Sequence, residues 1–225
     1  MQGILSRTVQ KQATRRRGRP RAYDPERALD AAMAAFWRSG YAGTSLDDLT
    51  ASAAMNRPSL YAAFGDKQAL YLKTIERYRA ASSAALGQAL AADRPLAESL
   101  RAIYRGALDL YQAGEANPRG CYLAGTATTA ALDDPEVRAA LLAAHQAFDR
   151  AFAARFAAAR ESGELPRDAD PELLGSLAAG VIHTLAIRAR AGESRRRLEQ
   201  IADAAVAQLC GAAPRARPAR RVRKR

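Results

Sequence analysis

Apolar positions recur along most of the chain with helical spacing, and no segment alternates with period two over a useful length. The sequence therefore predicts an all-α fold. Leu29, Ala32, Met33, Phe36 and Trp37 fall at i, i+3, i+4, i+7 and i+8, a one-sided apolar stripe. Asp24-Pro25-Glu26 opens that helix with an N-cap acceptor, a proline at the first helical position and an acid in the positive first turn. Gly40 closes it. Leu46, Leu49 and Ala53, then Leu60, Ala63 and Phe64, mark two more helices, each too short to be stable alone. Ser45 can cap the first of these, with Asp48 completing a variant capping box. Only Ala54-Met55-Asn56 separates the two. Gly65-Asp66-Lys67 breaks and restarts the chain, with Asp66 capping a long fourth helix that turns Tyr71, Ile75 and Tyr78 inward.

The same reading carries to the end of the chain. A fifth helix runs from Leu96 to Tyr111 and stops at Gly114; Asn117-Pro118-Arg119-Gly120 is a loop; Cys121 opens a short apolar helix to Leu132. Asp134-Pro135-Glu136 starts a long helix with Leu141, Phe148, Phe152 and Phe156 on its apolar face, ended by Gly163. Asp170-Pro171-Glu172 starts another, to Arg190, and Ser194 caps a last one with Leu198, Ile201, Ala202, Ala205 and Leu209 inward. About nine helices result. The helix after Asp170 is apolar nearly all round, so it must be covered on more than one side. Gly175, Ala179 and Gly180 would let another helix approach it closely.

Two short helices joined by a tight turn are the arrangement that reads DNA in a helix-turn-helix. The second would show Arg57, Pro58, Ser59, Tyr61 and Ala62 to solvent. A cation, hydroxyls and a small methyl suit base edges and phosphates in a major groove. Ala31-Ala-Met-Ala-Ala-Phe36, Gly40-Tyr41-Ala-Gly-Thr44-Ser45 and Leu60-Tyr61-Ala-Ala-Phe64-Gly-Asp-Lys67-Gln-Ala-Leu70 resemble the N-terminal domain of the TetR family of bacterial transcriptional regulators. The likeness covers about 55 residues; the family often has His before the Phe of this motif, where this chain has Ala63. The resemblance implies a homodimeric, ligand-responsive transcription repressor of a palindromic double-stranded DNA operator. Arg57, Pro58, Ser59 and Ala62 would face bases; Thr44, Ser45, Tyr61 and Lys67 would hold phosphates, Ser45 and Lys67 partly because they lie at helix N-termini. It also implies pairing of the last two helices with those of a second subunit, and a small-molecule effector cavity among the middle helices. Two-fold operators need two-fold proteins. The expected organisation is a basic arm at 1–22, the DNA-reading domain at 23–70, an effector-binding and dimerisation domain at 71–210 and a basic tail at 211–225.

Charge adds a competing picture. The chain has a formal net charge of +12, yet residues 1–23 and 211–225 each carry seven cations and no acid, leaving the remainder close to neutral. Both ends lack the apolar residues to fold and are expected to be disordered. Such tails attract phosphate polymers by counterion release without reading sequence. Arg19 and Arg21 adjoin the first helix, where they would reach an adjacent minor groove as homeodomain arms do. The alternative function is thus a non-specific or architectural DNA-binding protein driven by its tails.

The remaining candidates concern the interior. Tyr104, Tyr111, Tyr122, His145, Phe148, Phe152 and His183 are the aromatic or polar-tipped residues available to an effector, which they suggest is small and largely apolar or aromatic. Cys121 follows Arg119 at an expected helix N-terminus, a position that makes a thiol reactive, and is the candidate redox or electrophile sensor. Two cysteines argue against a disulfide framework and fit a reducing, cytoplasmic setting. The two cysteines and two histidines lie far apart with no paired ligand spacing, so no metal and no cofactor is expected. No Gly-rich phosphate loop, His-Glu-x-x-His or Gly-x-Ser-x-Gly occurs, and an enzyme is not expected. The basic N-terminus has no apolar run after it, and the uncharged run Leu173–Ile187 is too short to span a bilayer, so no membrane association is expected.

Overall fold

A computed structural model describes residues 24–91, 93–113 and 118–211. Arg19, Arg21 and the two basic tails, Gly211 apart, lie outside the described residues, as do Gly114 and Asn117. Within them the chain is all-α: α1 (Pro25–Ser39), α2 (Leu46–Ala53), α3 (Arg57–Phe64), α4 (Lys67–Ala91), α5 (Leu96–Tyr111), a π-helical turn (Leu123–Ala127), α6 (Thr128–Ala130), α7 (Pro135–Glu161), α8 (Pro171–Arg190) and α9 (Arg195–Leu209).

The helix starts follow their cap chemistry. Asp24, Asp134 and Asp170 each accept from the backbone N–H two residues on, with proline just inside the helix. The Ser45 hydroxyl accepts from the Asp48 N–H, and the Asp48 carboxylate accepts from the Ser45 N–H at 2.8 Å, closing the capping box. That reciprocal pair holds the Asp48 carboxyl below its usual range, the Ser45 hydroxyl being the main cause. One cap has no local signature: α5 begins without a side-chain cap at Pro95, and the distant Glu164 accepts the Leu96 N–H at 2.5 Å.

α1 to α3 form a small head on the first two turns of α4. Phe36, Leu49, Leu60, Leu70 and Tyr71 are its buried centre. Leu29 and Met33, expected inside with the rest of the α1 stripe, are only half-buried, because they line an open groove between α1 and α4. Arg77 on α4 grips α1 through Asp30 and Glu26. Because α4 is continuous from Lys67 to Ala91, the head is rigidly continued into the body. There α5, α7, α8 and α9 pack around Tyr104, Leu108, Phe152, Phe156, Leu185 and Leu198.

The segment from Cys121 to Leu132 differs from a plain helix. The Thr126 and Thr128 hydroxyls donate to the carbonyls of Tyr122 and Ala124, and such back-bonding competes with regular helix geometry. Gly125 lies under the Arg190 side chain, where a Cβ would sit 2.5 Å from the guanidinium. The result is a π turn followed by a three-residue helix. The close approach expected of α8 is made within the chain: a Cβ on Gly175 would lie 2.7 Å from the Ala153 nitrogen of α7, whereas Gly180 has nothing within 4 Å. By length and hydropathy α8 could pass for a membrane span, but its Gly175, Ala178, Ala179, Ile182, Leu185 and Ala186 are buried in the bundle.

Candidate nucleic-acid interface and interior cavity

The turn between α2 and α3 is made by Ala54 in the left-handed conformation (φ 51°), which costs a residue with a Cβ about 1 kcal/mol. Met55 plugs the core behind it, and Asn56 caps α3 by accepting from the Ser59 N–H at 2.9 Å. Proline at the second helical position leaves no donor wasted. With Leu60 and Phe64 buried, the opposite side of α3 must face solvent. Arg57, Pro58, Tyr61 and Ala62 are exposed there and Ser59 is half-buried. Arg57 is already engaged: its guanidinium donates to the Asp47 carboxylate of α2 at 2.8 Å, and this pair raises the arginine pKa further.

The four residues expected at phosphates divide. Tyr61 is 43% exposed and Ser45 is exposed at the α2 N-terminus. Lys67 is half-buried with its ammonium 4.5 Å from the centre of the Tyr41 ring, and burial lowers its pKa. Thr44 departs from expectation. It is 1% exposed and its hydroxyl donates to the Gly40 carbonyl at 2.6 Å, so it closes the α1–α2 loop from within rather than reaching outward.

Behind the head lies an aromatic cluster that spans head and body. Trp37 of α1 meets Tyr78 and Tyr122 edge-on, at ring separations of 5.3 and 5.5 Å. Tyr71 donates to Thr126 at 2.8 Å and the Tyr122 hydroxyl pairs with Thr74 at 2.6 Å. Burial pushes the Tyr71 phenol up to about 12, and Tyr78, Tyr111 and Tyr122 upward for the same reason.

Beside that cluster, α4, α5, α7 and α8 line a half-open cavity of about 250 Å³. Of the interior candidates, Tyr111, Cys121, His145, Phe148 and His183 border it. Tyr104, Tyr122 and Phe152 do not; each is fully buried, and the Tyr104 hydroxyl is taken up by the Ala178 carbonyl at 3.1 Å. Periodicity places all of these inside but does not say which inside position borders empty space. Tyr78, expected inward on the fourth helix, also lines the cavity, as do Ser82, Leu86, Ile103 and Leu110, which were not singled out from the sequence. Cys121 is 8% exposed and accepts from the Tyr78 hydroxyl at 3.5 Å, so the thiol is enclosed within the wall. The two histidines, 38 positions apart in sequence, meet edge to face with their rings 4.6 Å apart. Burial lowers the His183 pKa, His145 adds to this, and Asp149 opposes it.

The chain has the marks of a known group. The family model described as bacterial regulatory proteins, tetR family, matches residues 28–74, and a tetracyclin repressor-like C-terminal domain matches residues 97–205. The HTH-type transcriptional repressor ComR of Escherichia coli is 32% identical over 186 residues, 83% of this chain and 89% of that protein. A cysteine mutant of the TetR family transcriptional regulator CifR, solved with 26-base-pair double-strand operator DNA, is 32% identical with a TM-score of 0.77, covering 84% of this chain and 98% of that one. A TetR family regulator from Cytophaga hutchinsonii, at 18% identity, shares the fold with a TM-score of 0.73 over 85% of this chain and 96% of that one. A head of three short helices, a helix that continues from it into an all-α body, and matches at both ends of the chain agree: this protein belongs to the TetR family of bacterial transcriptional regulators.

Proposed function

We propose that the protein is a homodimeric repressor that holds a palindromic double-stranded DNA operator through α3 and is released from it when a small molecule occupies the interior cavity. The observation that carries the reading is the exposed face of α3, with Arg57, Pro58, Tyr61 and Ala62, on a head continued by one unbroken helix into the wall of that cavity. Arg57, Pro58, Ser59 and Ala62 are the base readers; Ser45, Tyr61 and Lys67 hold phosphates, joined by Arg19 and Arg21 of the N-terminal arm. The operator complex of CifR supports DNA as the partner.

The dimer is supported by α8. Leu173, Leu177 and Ile187 are 60%, 53% and 62% exposed, and with Gly180 and Thr184 they form a stripe of alternating four- and three-residue steps along one side of the helix. That is the spacing of a helix-pairing seam, and an apolar seam of this kind calls for a second copy to cover it. The two head units of such a dimer would each read one half-site.

The test titrates the full-length protein against the DNA upstream of its own gene and against a scrambled duplex at about 150 mM salt, where non-specific binding is weak. A clear preference for the upstream DNA supports the reading. The seven cations at each end favour the second reading, of tail-driven binding without sequence preference. It predicts equal binding to both duplexes, lost when residues 1–21 and 212–225 are removed.

A further inference from the structure

The polar groups around the cavity are of two kinds. At one end the Tyr78 hydroxyl donates to Cys121, and Tyr111 lies against the same thiol. At the other end, His145 and His183 touch each other edge to face, and no hydrogen bond to either imidazole forms among the described residues. Both rings border the open space. Two polar side chains with unmet donors and acceptors thus point a ligand's polar group to the α7–α8 end.

The rest of the wall is apolar, and no Asp, Glu, Lys or Arg borders the cavity. A carboxylate or ammonium brought here would lose its water without gaining a counter-ion, at a cost of several kcal/mol. Burial lowers the His183 pKa, which favours the neutral ring, and a neutral imidazole offers one N–H donor and one acceptor nitrogen. A hydroxyl both donates and accepts, so it matches such a pair where a carbonyl answers only half of it. Size sets the remainder: a cavity of about 150 Å³ takes benzene, so one of about 250 Å³ has room for about a dozen heavy atoms.

We propose that the cavity takes an uncharged aromatic molecule of two fused rings, or one substituted ring, carrying a hydroxyl that His145 and His183 hold between them. Leu86, Ile103, Leu110 and Phe148 cover the ring system. The inference rests on the effector reading above only in treating the cavity as a ligand site.

The experiment is calorimetric titration of the full-length protein, without DNA, with three probes: 2-naphthol, naphthalene and 2-naphthoate. The hydroxyl-bearing probe should bind, and the carboxylate at least ten-fold more weakly. In His183→Phe and His145→Phe, which keep an aromatic ring at the site, 2-naphthol should lose about three- to ten-fold in affinity while naphthalene is unchanged. His183→Gln keeps a donor and an acceptor and should restore most of the loss. Tighter binding of 2-naphthoate, equal losses for naphthol and naphthalene in the Phe variants, or no binding of 2-naphthol at all would each overturn the proposal. If 2-naphthol binds in this histidine-dependent way yet leaves DNA affinity unchanged, the inference stands and the effector switch does not. If a charged compound releases DNA while 2-naphthol fails to bind, the switch stands and the inference does not.

Discussion

Arg57 enters any encounter with DNA already held by Asp47, and the two side chains are 55% and 78% exposed. An ion pair so exposed does little for stability. Its effect is on recognition: the carboxylate fixes the guanidinium's direction across the α2–α3 turn and opposes casual approach to phosphates. Arg57→Ala should therefore weaken cognate DNA by about ten- to a hundred-fold and relax preference at one base position. Equal loss on scrambled duplex would reassign it to the backbone. Asp47→Asn should do the reverse to non-specific DNA, raising its affinity while narrowing the gap to the operator; a salt titration of both variants measures each effect. At this scale the sequence was informative wherever a residue acts on its near neighbours. Ser45 with Asp48, and Asp24, Asp134 and Asp170 before their prolines, cap as their spacing predicts. Thr44 was not legible, because its side chain is drawn inward by a carbonyl four residues back in a loop whose shape no periodicity encodes.

Helices were legible as elements but their contacts were not. Of the inward residues read on α7 and α9, Phe152, Phe156, Leu198, Ala202 and Leu209 are buried, while Leu141, Phe148, Ile201 and Ala205 are half-buried. The same stripes could not separate Phe148, at the cavity, from Phe152 one turn on, in closed core. Nor could they bring His145 of α7 against His183 of α8, since that depends on the distance between two helices rather than on either one. Gly175 sets that distance. Its Cα faces the α7 backbone so closely that an added methyl would lie 2.7 Å from the Ala153 nitrogen and 2.9 Å from the Asp149 carbonyl oxygen. Backbone atoms cannot rotate aside as a side chain does, so Gly175→Ala must push α8 off α7. The expected cost is about 1–3 kcal/mol, read as a lowered thermal midpoint. Gly87→Ala, exposed on α4 with nothing within 4 Å and away from the α8 seam, is the control and should leave the midpoint unchanged or raise it slightly.

Across the whole molecule, the two predicted actions need a second copy and a path from cavity to head. For the first, a charge on the α8 seam is decisive: Leu177→Glu should convert a dimer to monomers in sedimentation and reduce operator binding, whereas a dimer that survives would move the interface elsewhere. For the second, the contacts lie along a short route. Trp37, in α1 of the head, donates its indole N–H to the Arg119 carbonyl at 3.1 Å, and Arg190 of α8 reaches the same oxygen at 3.3 Å. Two residues on from Arg119 stands Cys121, in the cavity wall, and the Tyr78 ring that bonds it is also the ring Trp37 packs against. Gly120 lets this loop lie against α8, with a φ of 64° and a Cβ position 2.9 Å from the Ala186 carbonyl. A ligand that shifts Tyr78 or Cys121 thus acts on α1 through one hydrogen bond and one ring contact. Trp37→Phe keeps an aromatic ring there but removes the N–H donor. It should leave DNA affinity without ligand within about three-fold, and diminish ligand-driven release by about ten-fold, the size of a coupling of about 1.4 kcal/mol. Anisotropy of labelled DNA, titrated with and without a cavity ligand, measures both quantities in one series. Release undiminished in the variant would mean that the head is moved along α4 itself, and that the Trp37–Arg119 bond only fastens the head in place.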